Sequence, residues 1–363
     1  MASRLGEESL RGQCPAGGKI RRAGAWAWIA SSGLLVTAHV PAAEVRALAI
    51  MTPEDPNDYG WNQQGFEGAR AVARKYGLTF LPATGLGYGD VHAQARELID
   101  DGASLIIAHA SGYNTAVPEV GAEKHVPTAI VDRPAASKPG AVADYTPRGH
   151  EGAYLAGVLA ARTTRTGTIG IVVSAESPPW NTHSAAFAQG AKATDARLKL
   201  LYAVIGPAAY SDAAGARRVT AAVIAAGADV IFGQGDGASF GMLQAVETTR
   251  STDGAKVWFI DVVGDKSAID KGNLLSSVVW NLAPVYAAMV EDLKANKFGT
   301  RPYAIKLSDD SVQLLHTRHI PDNVWSELMA TRRRIVAGEL KIEPIEDTAR
   351  VHALMSAVTR PPG

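Results

Sequence analysis

The sequence predicts an α/β fold of two lobes, each a parallel sheet covered by helices. Three observations carry that expectation. From Val45 onward, short apolar runs alternate with amphipathic segments, the pattern that gives parallel strands with helical crossovers. The βα pattern runs from Val45 to Asp132, breaks at Pro134, Pro139 and Pro147, and restarts from Thr168 to Asp261. At 363 residues the chain has room for two lobes of ordinary size, each with its own core.

In the first lobe, 45–50 reads as a strand and Gly65 to Tyr76 as a helix ended by Gly77. Leu78 to Pro82 is a second strand, followed by the glycine-rich loop 85–90 and a helix from Val91 to Asp101. The buried strand 104–108 leads into the loop 109–114, a helix to Lys124 and the strand 127–132. The proline-punctuated stretch through Asp144 and Tyr145 is the expected first crossing between lobes, ahead of a small-residue helix from Gly149 to Arg162. The second lobe has strands at 167–173, 198–205, 229–232 and 256–261, with helices at 183–195, 211–226 and 239–250 between them. Beyond Asp261 the pattern loosens: a strand at 274–280, a helix at 283–296, a hairpin over 305–315 around Asp309 and Asp310, and an amphipathic helix at 325–338. The expectation is two Rossmann-like lobes joined by hinge crossovers. The first lobe takes 44–147 plus about 281–304, the second 148–280 plus about 305–346, and 347–363 is a tail with few strong signals.

Residues 1–43 read as an export signal outside the fold. Lys19, Arg21 and Arg22 precede an uncharged run from Ala23 to Val40, and Ala42 and Ala43 make a small-residue exit. The alternative of an uncleaved membrane anchor is disfavoured by Ser31, Ser32, Gly33 and His39 within a short run. The single cysteine, Cys14, lies upstream of that run, so the exported chain has no disulfide, thiol nucleophile or thiolate metal ligand, and is not a lipoprotein. Lys plus Arg balances Asp plus Glu at 36 each, which lacks the basic footprint of a nucleic-acid binder. The reading is a periplasmic protein, secreted through a cleaved signal peptide.

Several motifs suggest chemistry. Gly237-Ala238-Ser239-Phe240-Gly241 matches the G-x-S-x-G nucleophile elbow, and Asp261, Asp265, His316 and His319 follow in hydrolase order. An elbow turns directly off its strand, whereas residues 233–238 separate Phe232 from Ser239, and no glycine-rich oxyanion segment is present. A serine hydrolase is therefore the alternative rather than the main reading. The glycine-rich stretches 85–89 and 233–237 fit neither dinucleotide nor P-loop spacing. None of the nine histidines has metal-ligand spacing, and the basic run 332–334 reads as a solvated helix face. No metal and no cofactor are expected.

What remains is a set of polar and aromatic residues at strand ends: Trp61, Asn62, Tyr113, Asp132, Trp180, Asp236, Asp261, Trp280 and Asn281, with Gly235 allowing close backbone approach. In open α/β sheets ligands bind outside the carboxyl ends of the strands, so two lobes turn these residues toward one crevice. Tryptophans can sandwich a ring, and carboxylates can receive N–H or hydroxyl groups.

The order of these segments resembles the basic membrane protein (BMP) group of substrate-binding proteins for ABC importers. The matching stretches are 58–68, Gly112-Tyr113, 127–132, 151–157, 190–192, 210–212, 227–231 and 276–279, spanning about Val45 to Glu346. The resemblance implies a type I periplasmic binding fold and a purine nucleoside or related ligand handed to an ABC permease, with contact to the membrane complex only through that partner. It implies that Trp61 stacks on the base, Asp132 reads its edge, and Gly235 and Asp261 receive a sugar. Trp280 stands where nucleoside-binding members carry a lysine, and Trp180 belongs to a Pro-Pro-Trp-Asn loop unlike theirs, so a free nucleobase or another flat heterocycle is equally implied. A sensory receptor of the same fold is the remaining alternative.

Overall fold

The computed structural model describes residues 44–356, Ala208 excepted. The export signal expected over 1–43 lies outside the described residues. The first sheet draws on β1 (Ala47–Met51), β2 (Thr79–Ala83), β3 (Leu105–Ala108), β4 (Thr128–Val131) and β5 (Val142–Thr146), with α1 (Trp61–Tyr76), α2 (His92–Asp100) and α3 (Ala116–Lys124) between them. There follow α4 (His150–Thr163), β6 (Thr168–Val173), α5 (Pro178–Thr194), β7 (Lys199–Val204), α6 (Ala213–Ala225), β8 (Val230–Gln234), α7 (Ala238–Thr248), β9 (Trp258–Val263) and β10 (Leu274–Trp280). The chain ends with α8 (Ala283–Lys294), β11 (Tyr303–Ala304), β12 (Val312–Leu314), α9 (Asp322–Val336) and α10 (Thr348–Ser356).

The strands form two six-stranded sheets, ordered β11-β5-β4-β3-β1-β2 and β12-β10-β9-β8-β6-β7. All pairings are parallel except that of β12 with β10. Strand period explains why both faces of each sheet are covered. In β1, Leu48 and Ile50 join one buried cluster with Val72 of α1, while Ala49 and Met51 join another with Val117 and Val120 of α3. In β6, Ile169 and Ile171 face the first cluster and Val172 the side of Ile224 and Met242.

Three crossings link the sheets, at 147–149, 281–282 and 305–311. The helix after the first, α4, packs along α5, and α8 after the second packs on α1. The close approach of α4 and α5 uses paired glycines. A Cβ on Gly157 would lie 2.0 Å from the Phe187 carbonyl, and one on Gly190 2.1 Å from that of Tyr154.

Several parts of the fold depart from the sequence expectation. The Pro-Pro-Trp-Asn segment, expected as a loop ahead of a helix at 183, is the first turn of α5, because proline is well suited to the first helical positions. Residues 142–146, expected as part of an inter-lobe crossing, form a full strand of the first sheet. The hairpin expected over 305–315 does not form, because β11 extends the first sheet and β12 edges the second. The stretch after Glu346, expected as a tail with few strong signals, carries α10, which buries Val351 and Met355 against α5 and β7.

Candidate functional site

The loop leading into α1 is built around one carboxylate. Asp58 accepts the backbone N–H groups of Gly60 (3.0 Å), Asn62 (2.9 Å) and Gln63 (3.0 Å), together with the Asn62 amide (2.8 Å). These are otherwise unpaired donors at the start of a helix, so an acceptor there fixes the turn. Trp61, the first residue of α1, is held from behind. Its ring lies on His109 at a centroid distance of 3.7 Å and 12° from parallel, and its indole N–H donates to the His109 carbonyl (3.0 Å).

His109 is fully buried with both ring nitrogens engaged. Nε2 donates to the Trp61 carbonyl (2.8 Å), so Nδ1 accepts from the Tyr145 hydroxyl (2.6 Å). Burial holds its pKa down to about 3, keeping the ring neutral. His109 follows β3 and Tyr145 belongs to β5, so two strands on either side of β4 in one sheet deliver a stack that ends at Trp61.

A cavity of about 510 Å³ opens in front of this stack, bounded by loops at the carboxyl ends of strands from both sheets. Of the residues singled out in the sequence, Trp61, Asp132, Trp180, Asp236 and Trp280 line it. The edge of Trp280 meets Trp61 at 6.2 Å and 90°. Asp132 faces the open cavity, while the enclosing walls and then Asp144 push its carboxyl up to about 7 against the pull of Arg148. Asp236 is pushed up to about 7 by burial and by Asp58. The Trp61 backbone N–H reaches it at 3.4 Å.

The other five sequence candidates stand away from the cavity wall. Asn62 is buried between Asp58 and the Glu54 N–H. Tyr113 is buried, its hydroxyl on the Gly87 carbonyl (2.5 Å). Gly235 is buried directly before Asp236. Asn281 is exposed and accepts the Ala283 N–H at the start of α8 (3.1 Å). Asp261 is fully buried and paired with Lys266 at 2.6 Å; burial raises its carboxyl and the ammonium opposes that rise.

The sequence reading did not single out His109, Tyr145, Arg148, Glu346, Tyr88 or Tyr210. The last four line the cavity, and Arg148 and Glu346 pair at 2.7 Å. For Arg148 the signal in the sequence is its place just after a strand, 142–146, which Pro139, Gly140 and Pro147 disguise as a crossing. The lobes also touch across the cleft, through the Ser211 hydroxyl on Glu54 (2.7 Å) and Lys266 on the Tyr59 carbonyl (3.0 Å). Ser239 is buried in the first turn of α7 and its hydroxyl donates to the Asp236 carbonyl (2.5 Å), while His316 is stacked on Trp325. Among the described residues no cluster of His, Cys, Asp and Glu could hold a metal ion, and no helix is long and apolar enough to cross a membrane.

Residues 45–346 match the family described as ABC transporter substrate-binding protein PnrA-like, or Bmp. The chain belongs to this family. Members are extracytoplasmic solute-binding proteins rather than enzymes, which implies a small-molecule ligand and a permease partner. The chain is 25% identical over 277 residues to the ABC transporter nucleoside-binding protein BmpA of Lactococcus lactis, covering 70% of this chain and 76% of that one. It is 26% identical over 196 residues to basic membrane protein A of Borreliella afzelii, covering 53% of this chain and 58% of that relative's length. In structure it is similar to an ABC transporter solute-binding protein from Conexibacter woesei, with a TM-score of 0.68 at 19% identity, covering 82% of this chain and 99% of that one. That likeness bears on the fold, the two-lobed α/β architecture of periplasmic binding proteins.

Proposed function

We propose that this chain captures a purine nucleoside, a nucleobase or a similar flat heterocycle between its lobes and delivers it to an ABC permease. The observation that carries the reading is the set of three tryptophans, Trp61, Trp180 and Trp280, gathered from both sheets around one cavity of about 510 Å³. That volume suits a small ligand, and flat rings suit aromatic walls. Trp61 stacks on the ligand, and Asp132 and Asp236 accept its N–H groups. Asn62, Tyr113, Gly235, Asp261 and Asn281 hold the loops that carry these contacts. The nucleoside named for the Lactococcus relative supports the same class of ligand. Residues 1–43 direct export to the periplasm, and 44–147 with about 281–304 moves as one lobe against 148–280 with about 305–346.

A thermal-shift screen of purines, nucleosides, pyrimidines and sugars tests the reading. A rise in melting temperature with one heterocycle class is expected, because a ligand that binds only the folded state stabilises it. A response confined to sugars, or none at all, overturns the ligand class.

A further inference from the structure

We propose that the ligand of this cleft is a cation, a flat heterocycle that carries a positive charge at neutral pH. The inference rests on the heterocycle-binding reading above and goes further, to the charge of the ligand.

The cavity wall holds three carboxylates, Asp132, Asp236 and Glu346, against one guanidinium, that of Arg148. Arg148 is already paired with Glu346 at 2.7 Å. This leaves Asp132 from the first sheet and Asp236 from the second without a matching cation on the wall. Among the described residues no hydrogen bond reaches the Asp132 carboxylate, and Asp236 has the Trp61 N–H at 3.4 Å. The nearest other ammonium, Lys266, is buried between Asp261 and the Tyr59 carbonyl and does not line the cavity. An anionic ligand would meet two unpaired carboxylates as it left water, which is costly.

The rest of the wall suits a cation equally. Trp61, Tyr88, Trp180, Tyr210 and Trp280 present five aromatic rings, and ring faces attract positive charge most strongly where water is excluded. The carboxyls themselves register the missing charge. The enclosing cavity walls with Asp144 and Glu346 raise Asp132, and burial with Asp58 and Glu54 raises Asp236, both to about 7 despite Arg148 and Lys266. A positive ring between them satisfies both lobes at once, so its charge favours closure of the cleft.

The test uses matched ligands that differ in charge, measured by calorimetry on the purified full chain at pH 7.5. One set is nicotinamide, 1-methylnicotinamide and nicotinate; a second is adenosine, 1-methyladenosine and adenosine monophosphate; thiamine is a larger cationic heterocycle. The expected result is that the cation of at least one set binds tenfold or more tighter than its neutral partner, with the anion weakest. Asp132→Asn and Asp236→Asn, checked for an unchanged circular dichroism spectrum, should each reduce that preference to threefold or less. A neutral purine or nucleoside that binds tighter than every cation overturns the charge inference and leaves the heterocycle reading standing. A cation preference unchanged in both Asn variants also overturns it, because the carboxylates are then not its cause. Failure of every heterocycle, whatever its charge, overturns both readings.

Discussion

Trp61 and His109 lie face to face, 3.7 Å apart and 12° from parallel, and each also donates a hydrogen bond to the other's backbone carbonyl. One face of Trp61 is therefore taken by a neutral ring that strands β3 and β5 hold still, and the residue reaches the cavity as a fixed platform. Pre-organisation of this kind lets a ligand stack without ordering the side chain first. Trp61→Ala should weaken ligand binding by tenfold to a hundredfold, since an aromatic stack on a heterocycle contributes about 1–3 kcal/mol. Trp61→Phe should keep most of the affinity. Calorimetry with the best ligand from the screen decides it, and equal affinity for the Ala variant removes Trp61 from the site.

The stack depends on Gly65, one turn along α1. A Cβ at that position would fall 2.3 Å from His109 Nε2, a distance that requires the ring or the helix to shift. Gly65→Ala should cost about 1–3 kcal/mol through overpacking, even though alanine is the better helix former. It should also weaken the ligand, because the displaced imidazole no longer backs Trp61. Denaturant unfolding with a parallel binding titration separates this outcome from the stabilisation that helix propensity alone predicts.

His109 should make stability pH-dependent on the acid side. Its pKa falls from an ordinary 6.5 to about 3 on folding, so the unfolded chain binds more protons between those values. The stabilisation is complete above pH 6.5 and is lost progressively as pH falls toward 3. His183, buried and lowered to about 4, adds to the same slope. In His109→Gln the melting temperature should decline less steeply from pH 7 to pH 4 than in the parent chain. Identical slopes would show that the histidine does not carry its share.

Asp236 has the opposite sign. Its carboxyl rises from 3.8 to about 7 on folding, so the folded chain holds the extra proton in that window. That contribution is full below the unfolded value and is lost as pH rises through 7. Without ligand, Asp236→Asn should gain melting temperature relative to the parent chain as pH goes from 5 to 8. Differential scanning calorimetry at several pH values checks it; a gap that stays constant refutes the raised carboxyl.

Which parts of this were legible follows from how local each signal is. Asp132, Asp236 and Trp280 are legible because each sits at or just past the end of a recognisable strand, and Trp61 and Trp180 because each opens the helix that follows one, where the α/β layout turns residues toward the cleft. Residues 142–146 were missed because Pro139, Gly140 and Pro147 mask a short strand whose pattern includes the polar Asp144. The separation of β11 from β12 was invisible, since two short runs joined by Asp309 and Asp310 look like a hairpin whichever sheets they join. The match of Arg148 to Glu346 needed the closed fold, as did the role of His109, which sequence shows only as a polar residue after β3.

Asp261 illustrates the same limit and supplies the last test. At the end of the second half's repeated βα pattern it read as a cleft carboxylate, yet Lys266, five residues on, turns back to meet it at 2.6 Å with both side chains fully buried. Lys266 also donates to the Tyr59 carbonyl across the cleft, and Tyr59 sits at positive φ in the loop that presents Trp61. The pair therefore links the second lobe to the position of the first lobe's stacking residue. Removing one partner leaves a buried, uncompensated charge, so Lys266→Met should cost about 3–5 kcal/mol. The double variant Lys266→Met with Asp261→Leu should recover most of that stability, because apolar replacement of a whole buried pair is close to neutral. It should not recover binding, since the bond to Tyr59 stays lost and the cleft closes less completely. A double variant that regains both stability and full affinity would show that the pair only fills the core and has no part in joining the lobes.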